Sequence, residues 1–356
     1  MYFLVFIFAF VMFNLIILAH EWGHYITAIK FGVRVNEFAL GMGPQIFKIK
    51  KNDTVYSIRA FPIGGFCAME GEEKTSDDKK HSFREKSAWK RMIIISAGAI
   101  MNIIVGFFLS VFVTSFQKDI FSTRISSFSK DAVSNSSNGL RVNDEIISIN
   151  GYKTHIDQDI IVAISLSSGS NLKIDVIRNG EFVRLENVSF NTREVNGKKV
   201  ADLDFSLCRK EKNFINTMIY SSTNVGSTVR TTWMGLIGLI RGKFTIKDLA
   251  GPVGLASCVG TITDEHLKND NKNIFPAMMN IVSFMMMISI SLGVFNLIPF
   301  PALDGGRILL LIPELVAKKK VSEKMEEVFN TIGFSFLMIL AIIVTCSDVL
   351  KIIKGA

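Results

Sequence analysis

Two histidines four residues apart, with a glutamate directly after the first, occur at His20-Glu21-Trp22-Gly23-His24. On a helix, positions i and i+4 share a face, so both imidazoles can reach one zinc ion while Glu21 stands beside the water that the metal activates. These residue types support metal-assisted hydrolysis. Zinc brings the pKa of water toward neutrality, and the glutamate takes its proton and later passes it to the leaving amine. The run follows an uncharged stretch, Met1 to Ala19. Ionisable groups at the end of such a stretch are costly unless they pair or act, which disfavours the alternative of a neutral histidine pair facing a polar helix bundle.

A catalytic zinc needs a third protein ligand and one open position. The acids near apolar segments are Asp304, Glu314 and Asp348, and choosing among them requires the topology. Of the 356 residues, 49% are hydrophobic, with 29 Phe and 15 Met, a composition of the membrane class. A span needs about 20 apolar residues. Such windows run over Met92 to Phe116, Ile274 to Leu303 and Val328 to Ser347, and the N-terminal stretch makes a fourth. That first stretch lacks the basic n-region and small-residue cleavage site of a signal peptide, the alternative reading.

The net charge of +8 could suggest nucleic acid, but the basic residues cluster beside the spans. Thirteen Lys and Arg lie between Lys30 and Arg91 and five between Arg307 and Lys324. By the positive-inside rule both segments are cytoplasmic, and the N-terminus, the region Gln117 to Asn273 and the C-terminus are outside. No nucleic-acid partner is expected. Cys67, Cys208, Cys258 and Cys346 show no metal-type spacing and imply no disulfide framework.

This topology selects Asp304. The first and third spans both run inward and end at the histidine pair and at Asp304, whereas Asp348 ends an outward span, roughly 30 Å away across the core. Glu314 lies ten residues further into the basic loop. Asp304 follows Pro299 and Pro301 and precedes Gly305-Gly306, so the helix must break just before it. Broken backbone at membrane depth is tolerated where it is buried in protein or lines a water-filled cavity.

Between the first two spans, Phe31 to Met69 alternates apolar and polar residues, as in Val55-Tyr56-Ser57-Ile58-Arg59, and reads as strands. From Phe121 to about Leu207 short Val/Ile-rich runs alternate with Gly, Asn and Ser turns, the pattern of a small β-rich domain. Its segment Gly139-Leu140-Arg141-Val142-Asn143-Asp144-Glu145-Ile146-Ile147-Ser148-Ile149-Asn150-Gly151 resembles a PDZ-domain stretch, with Asn143 in place of a glycine. Asn also tolerates a left-handed turn. That resemblance implies capture of a peptide C-terminus by strand addition, the alternative being a domain that only spaces the membrane parts. Thr231 to Phe244 is apolar but short, and reads either as an interfacial helix or as a core helix.

Together with Asn296-Leu297-Ile298-Pro299-Phe300-Pro301-Ala302-Leu303-Asp304-Gly305-Gly306, the histidine motif resembles the site-2 proteases, intramembrane zinc proteases. The order of elements is most similar to the bacterial branch that cleaves anti-sigma factors and carries a PDZ domain between its second and third spans. Further matches are Phe38-Ala39-Leu40-Gly41-Met42-Gly43-Pro44, Pro62-Ile63-Gly64-Gly65-Phe66, Gly251-Pro252-Val253-Gly254 and Val321-Ser322-Glu323-Lys324. The resemblance implies that His20, His24 and Asp304 are zinc ligands and that Glu21 is the general base. It also implies that Asn102, in Ser96-Ala97-Gly98-Ala99-Ile100-Met101-Asn102, contacts the extended substrate backbone, although Ala99 departs from the family's usual Pro. A polar residue in a span also commonly bonds across helices.

The expected architecture is a polytopic α-helical membrane protein. It has four transmembrane helices, a membrane-associated β-region and one small β-rich PDZ-like domain. In order, residues 1–30 carry the first span and zinc motif, 31–90 the β-region and loop, and 91–116 the second span. Residues 117–208 form the PDZ-like domain, 209–273 a linker with an interfacial helix, 274–306 the third span and ligand loop, 307–327 a cytoplasmic loop and 328–350 the fourth span. The expected activity is zinc-dependent hydrolysis of a peptide bond in or near a substrate's transmembrane segment. The substrate would be a single-span protein in the cytoplasmic membrane, such as an anti-sigma factor or signal-peptide remnant. Competing readings are a non-catalytic scaffold presenting its PDZ-like domain and a metal transporter, since His and Asp at membrane depth also mark ion pathways.

Overall fold

The computed structural model of the chain describes residues 2–72, 78–167, 170–195, 198–242, 251–269, 274–318 and 321–354. In chain order the elements are α1 (Tyr2–Lys30), β1 (Val35–Lys51), β2 (Thr54–Met69), α2 (Ala88–Phe116), β3 (Ile120–Phe128), β4 (Glu145–Ile149), β5 (Tyr152–Lys153), α3 (Asp157–Ser165), β6 (Asn171–Arg178), β7 (Glu181–Ser189), β8 (Thr192–Val195), β9 (Lys198–Ala201), β10 (Phe205–Lys210), α4 (Phe214–Ile240), α5 (Pro252–Asn269), α6 (Ile274–Asn296), α7 (Asp304–Ala317) and α8 (Glu323–Lys354). They fall into two compact units, Met1–Leu109 with Thr228–Ala356, and Ser110–Ser227.

In the first unit, four helical stretches are long and apolar enough to cross a membrane: Phe3–Lys30, Ala88–Phe116, Ile274–Asn296 and Lys324–Lys351. Their outward faces carry Phe3, Leu4, Ile104, Phe108, Phe334, Phe336 and Ile339 in the open, as expected of helices whose outer solvent is hydrocarbon. The histidine motif lies inside α1, because the helix runs on without interruption to Lys30. The third apolar window is shorter as a helix than as a sequence. α6 stops at Asn296, since Pro299 and Pro301 cannot donate to a helical ladder. The chain then turns through bonds from Phe300 N to Ile298 O and from Leu303 N to Phe300 O.

The β-region doubles back on itself. Phe38 opposes Cys67 on one side and Tyr56 on the other, and Lys51 opposes Thr54 at the hairpin end. Its inner part joins a core of Val33, Val35, Cys67 and Met69 with Ala28 of α1 and Ile94 and Ile95 of α2. Its outer part leaves Met42, Ile46, Phe47, Phe61 and Ile63 exposed, an apolar patch of the kind that marks a membrane or protein contact. The Tyr25 and Tyr56 hydroxyls hydrogen-bond, which ties the strands to α1 one residue after His24.

Further along the same unit, α5 is held by Asp348 of α8, whose Oδ2 accepts from Gly251 N and Gly254 N at 2.8 Å each. A carboxylate at a helix N-terminus satisfies amides with no intrahelical partner. The apolar run beginning at Thr231 is the end of the longer helix α4; Lys243 and Phe244 lie outside the described residues.

The second unit is built on a sheet of order β10-β3-β4-β6-β7, with β5 beside β4 and a separate pair β8-β9. Period-two alternation along β6 sends Leu172, Ile174 and Val176 inward onto Ile125, Leu140, Ile146, Ile149 and Ile160 of α3. Asn143 adopts φ +72°. The buried Asp144 after it pairs with Arg178 at 2.8 Å, and Arg178 also donates to Gly139 O.

Candidate metal centre

Three side chains from two distant parts of the chain converge in the first unit. His20 Nε2 and His24 Nε2 are 3.2 Å apart, and Asp304 Oδ2 lies 3.2 Å from the first and 3.3 Å from the second. The helix supplies the i, i+4 spacing of the histidines, and the Pro-containing turn delivers Asp304 at the first residue of α7. There the positive end of the helix dipole favours a carboxylate. Among the described residues no protein donor satisfies Asp304 Oδ2.

That donor set fits zinc. A tetrahedral ion with ligand bonds of about 2.0–2.1 Å has ligand-to-ligand edges of about 3.3–3.4 Å, close to the three separations here. Two imidazoles and one carboxylate leave a fourth position open, the pattern of a catalytic rather than a structural site. Each histidine is also anchored on its far side by α2. His24 Nδ1 lies 2.9 Å from Ile94 O, the geometry of an N–H donating to a carbonyl. His20 Nδ1 lies 3.3 Å from Asn102 Nδ2.

Comparison with known proteins agrees. The profile of Peptidase family M50 matches residues 8–340. The chain belongs to peptidase family M50. A Clostridium acetobutylicum protein carrying a provisional zinc metalloprotease name is 34% identical over 96% of each chain. The Bacillus subtilis regulator of sigma-W protease RasP is 26% identical over 96% of this chain and 97% of its own, and the zinc metalloprotease RasP of Shouchella clausii 27% over the same shares. The M50 chain is thus a zinc metalloprotease of the site-2 type and a multi-pass membrane protein.

Within this M50 peptidase the other acids weighed from sequence are occupied elsewhere. Glu314 forms an ion pair with Arg91, and Asp348 caps α5. Glu21 reaches toward β2, its Cγ lying 3.7 Å from where a Cβ on Gly65 would sit. Asn102 is fully buried with its side chain toward His20, so contact with a substrate backbone would require the helices around it to part.

The sequence assigns no role to three further features beside the site. Gly98 sits between Ile94 and Asn102 on α2, where a Cβ would come within 2.3 Å of His24 Nε2 and 2.8 Å of His20 Cε1. At Gly23 a Cβ would meet Ala97 O at 2.4 Å, so α1 and α2 cross backbone to backbone. One turn beyond Asp304, Arg307 pairs with Glu72 at 2.6 Å. This pair lines a cavity of about 330 Å³ together with Arg84, Arg91, Glu314 and Glu326. Ion pairs between Arg84 and Glu326 and between Arg91 and Glu314 cross that cavity's wall, which compensates buried charges that would otherwise be costly.

Proposed function

We propose that His20, His24 and Asp304 hold a single zinc and that Glu21 is the general base in hydrolysis of a peptide bond in or near the transmembrane segment of a single-span substrate. The observation that carries this is the convergence of three candidate ligand atoms at zinc-like separations, two of them on a helix apolar enough to span a membrane. Bound there, zinc supplies a Lewis acid and a water poised to ionise near neutral pH. Glu21 receives the proton of the attacking water and donates it to the departing amine. A helical substrate hides its carbonyls, so it must open into a strand before attack. The β1–β2 region beside Glu21 offers such a strand its partner.

On this reading the zinc lies toward the cytoplasm and the second unit outside, as the distribution of basic residues favours. The second unit acts as a PDZ-like filter for substrates whose outer part has been trimmed. Its strand β10 ends the sheet and, among the described residues, pairs only with β3, which leaves an edge for an incoming peptide and its terminal carboxylate. The relative named regulator of sigma-W protease supports an anti-sigma protein as the substrate.

The test is cleavage of a tagged single-span substrate in membranes by the wild type, Glu21→Gln and Asp304→Asn at matched expression. Both variants should be inactive, with zinc retained in the first and weakened in the second. Cleavage by Glu21→Gln at the wild-type rate would refute the assignment of the base, and a wild type inactive on every single-span substrate would favour the scaffold.

A further inference from the structure

We infer that Asn102 is a positioning residue for the metal, holding His20 in the tautomer that can ligate zinc. This rests on the zinc reading above. A histidine that binds zinc through Nε2 carries its proton on Nδ1 and needs an acceptor there, which fixes ring orientation and raises ligand basicity. For His24 that acceptor is Ile94 O, 2.9 Å from Nδ1. For His20 the only side chain within hydrogen-bond reach of Nδ1, among the described residues, is Asn102.

As placed, the amide turns Nδ2 toward Nδ1, at 3.3 Å, and leaves Oδ1 buried without a partner. An amide presents oxygen and nitrogen in nearly the same shape, and half a turn about its last bond exchanges them. As placed, the amide oxygen is the unsatisfied end. The orientation with Oδ1 toward His20 accepts the Nδ1 proton and frees Nε2 for metal, whereas the other forces the proton onto Nε2, where it blocks ligation. The zinc therefore selects the first. Asn102 is wholly buried, and its backbone carbonyl accepts from Ser289 Oγ at 2.8 Å, so the amide is mounted on a fixed stretch of α2. Ile94, Gly98 and Asn102 then form one stripe along α2: an acceptor for each histidine, with a residue lacking a side chain between them where the two rings approach.

The experiment measures zinc affinity of the purified full-length protein by chelator competition, alongside KM and kcat on a single-span substrate. Asn102→Leu removes the acceptor at similar size and should weaken zinc 10- to 100-fold, the usual cost of losing such a partner. Asn102→Asp, which keeps an acceptor at the same reach, should recover affinity to within a few-fold of wild type. Wild-type zinc affinity in Asn102→Leu with a raised KM would overturn the inference in favour of substrate contact. Equal losses in the Leu and Asp variants would overturn it in favour of a packing role. A wild type that retains no zinc at all would instead refute the metal-site reading on which it stands.

Discussion

Gly98→Ala sets helix propensity against metal geometry. Alanine is the better helix former by roughly 1 kcal/mol in a helix interior, so on local grounds the change should stabilise α2. The new Cβ, however, would stand 2.3 Å from His24 Nε2, 2.7 Å from its Cε1 and 2.8 Å from His20 Cε1. Ordinary contact starts near 3.4 Å, so the His24 ring must withdraw by about 1 Å, several times the roughly 0.2 Å that a zinc–ligand bond tolerates. Nor can the ring swing aside freely, because its Nδ1 is bonded to Ile94 O. The expected result is a protein that keeps its helical circular dichroism, its gain in helix propensity offset by the contact with the buried His24 ring, yet binds zinc at least about 100-fold more weakly, beyond the upper cost of losing an outer partner alone. Zinc per chain by mass spectrometry after chelator dialysis, with parallel melts, reads both quantities. A Gly98→Ala protein that holds zinc as tightly as wild type would refute the reasoning.

Asp348→Ala should lower the melting temperature by an amount corresponding to about 1–3 kcal/mol, since it leaves the Gly251 and Gly254 amides without an acceptor; Asp348→Asn, which keeps one acceptor oxygen, should lose less. In the second unit, the Arg184 guanidinium bonded to Asp175 holds its carboxyl below the ordinary carboxylate range, against the effect of burial. A depressed folded pKa contributes stability that is present above the unfolded value of about 4 and is lost as pH falls through the folded one. Protease sensitivity of this unit should therefore rise below about pH 4, and Asp175→Asn should flatten that rise; an unchanged acid limb would contradict it.

Sequence reading singled out His20, His24 and Asp304, the proposed ligands, because each carries a distinctive chemical type in a distinctive place: paired histidines at helical spacing, and an acid in a Pro- and Gly-broken segment. It reached the membrane spans because length and hydropathy suffice for them, but it ran the third span through Leu303, where the structure ends the helix at Asn296. The contribution of α2 was mostly hidden. Ile94 acts through a backbone carbonyl that every residue possesses, and Gly98 acts by having no side chain. Asn102 stood out as a polar residue in a span, yet only packing shows which neighbour it faces. The double pairing of β1 with β2 was likewise invisible, because alternation reports strands and not which strand opposes which. Asp348 looked like the end of a span, and its role as a cap for α5 depends on contacts nearly a hundred positions apart along the chain.

The most direct test of the central claim is zinc K-edge X-ray absorption on the purified full-length protein, with metal content counted in the wild type and in His24→Ala and Asp304→Ala. The account predicts one zinc per chain with only nitrogen and oxygen neighbours at about 2.0–2.1 Å, and loss of that zinc in both variants. A sulfur-containing shell, or stoichiometric zinc that survives removal of His24 and Asp304, would contradict it.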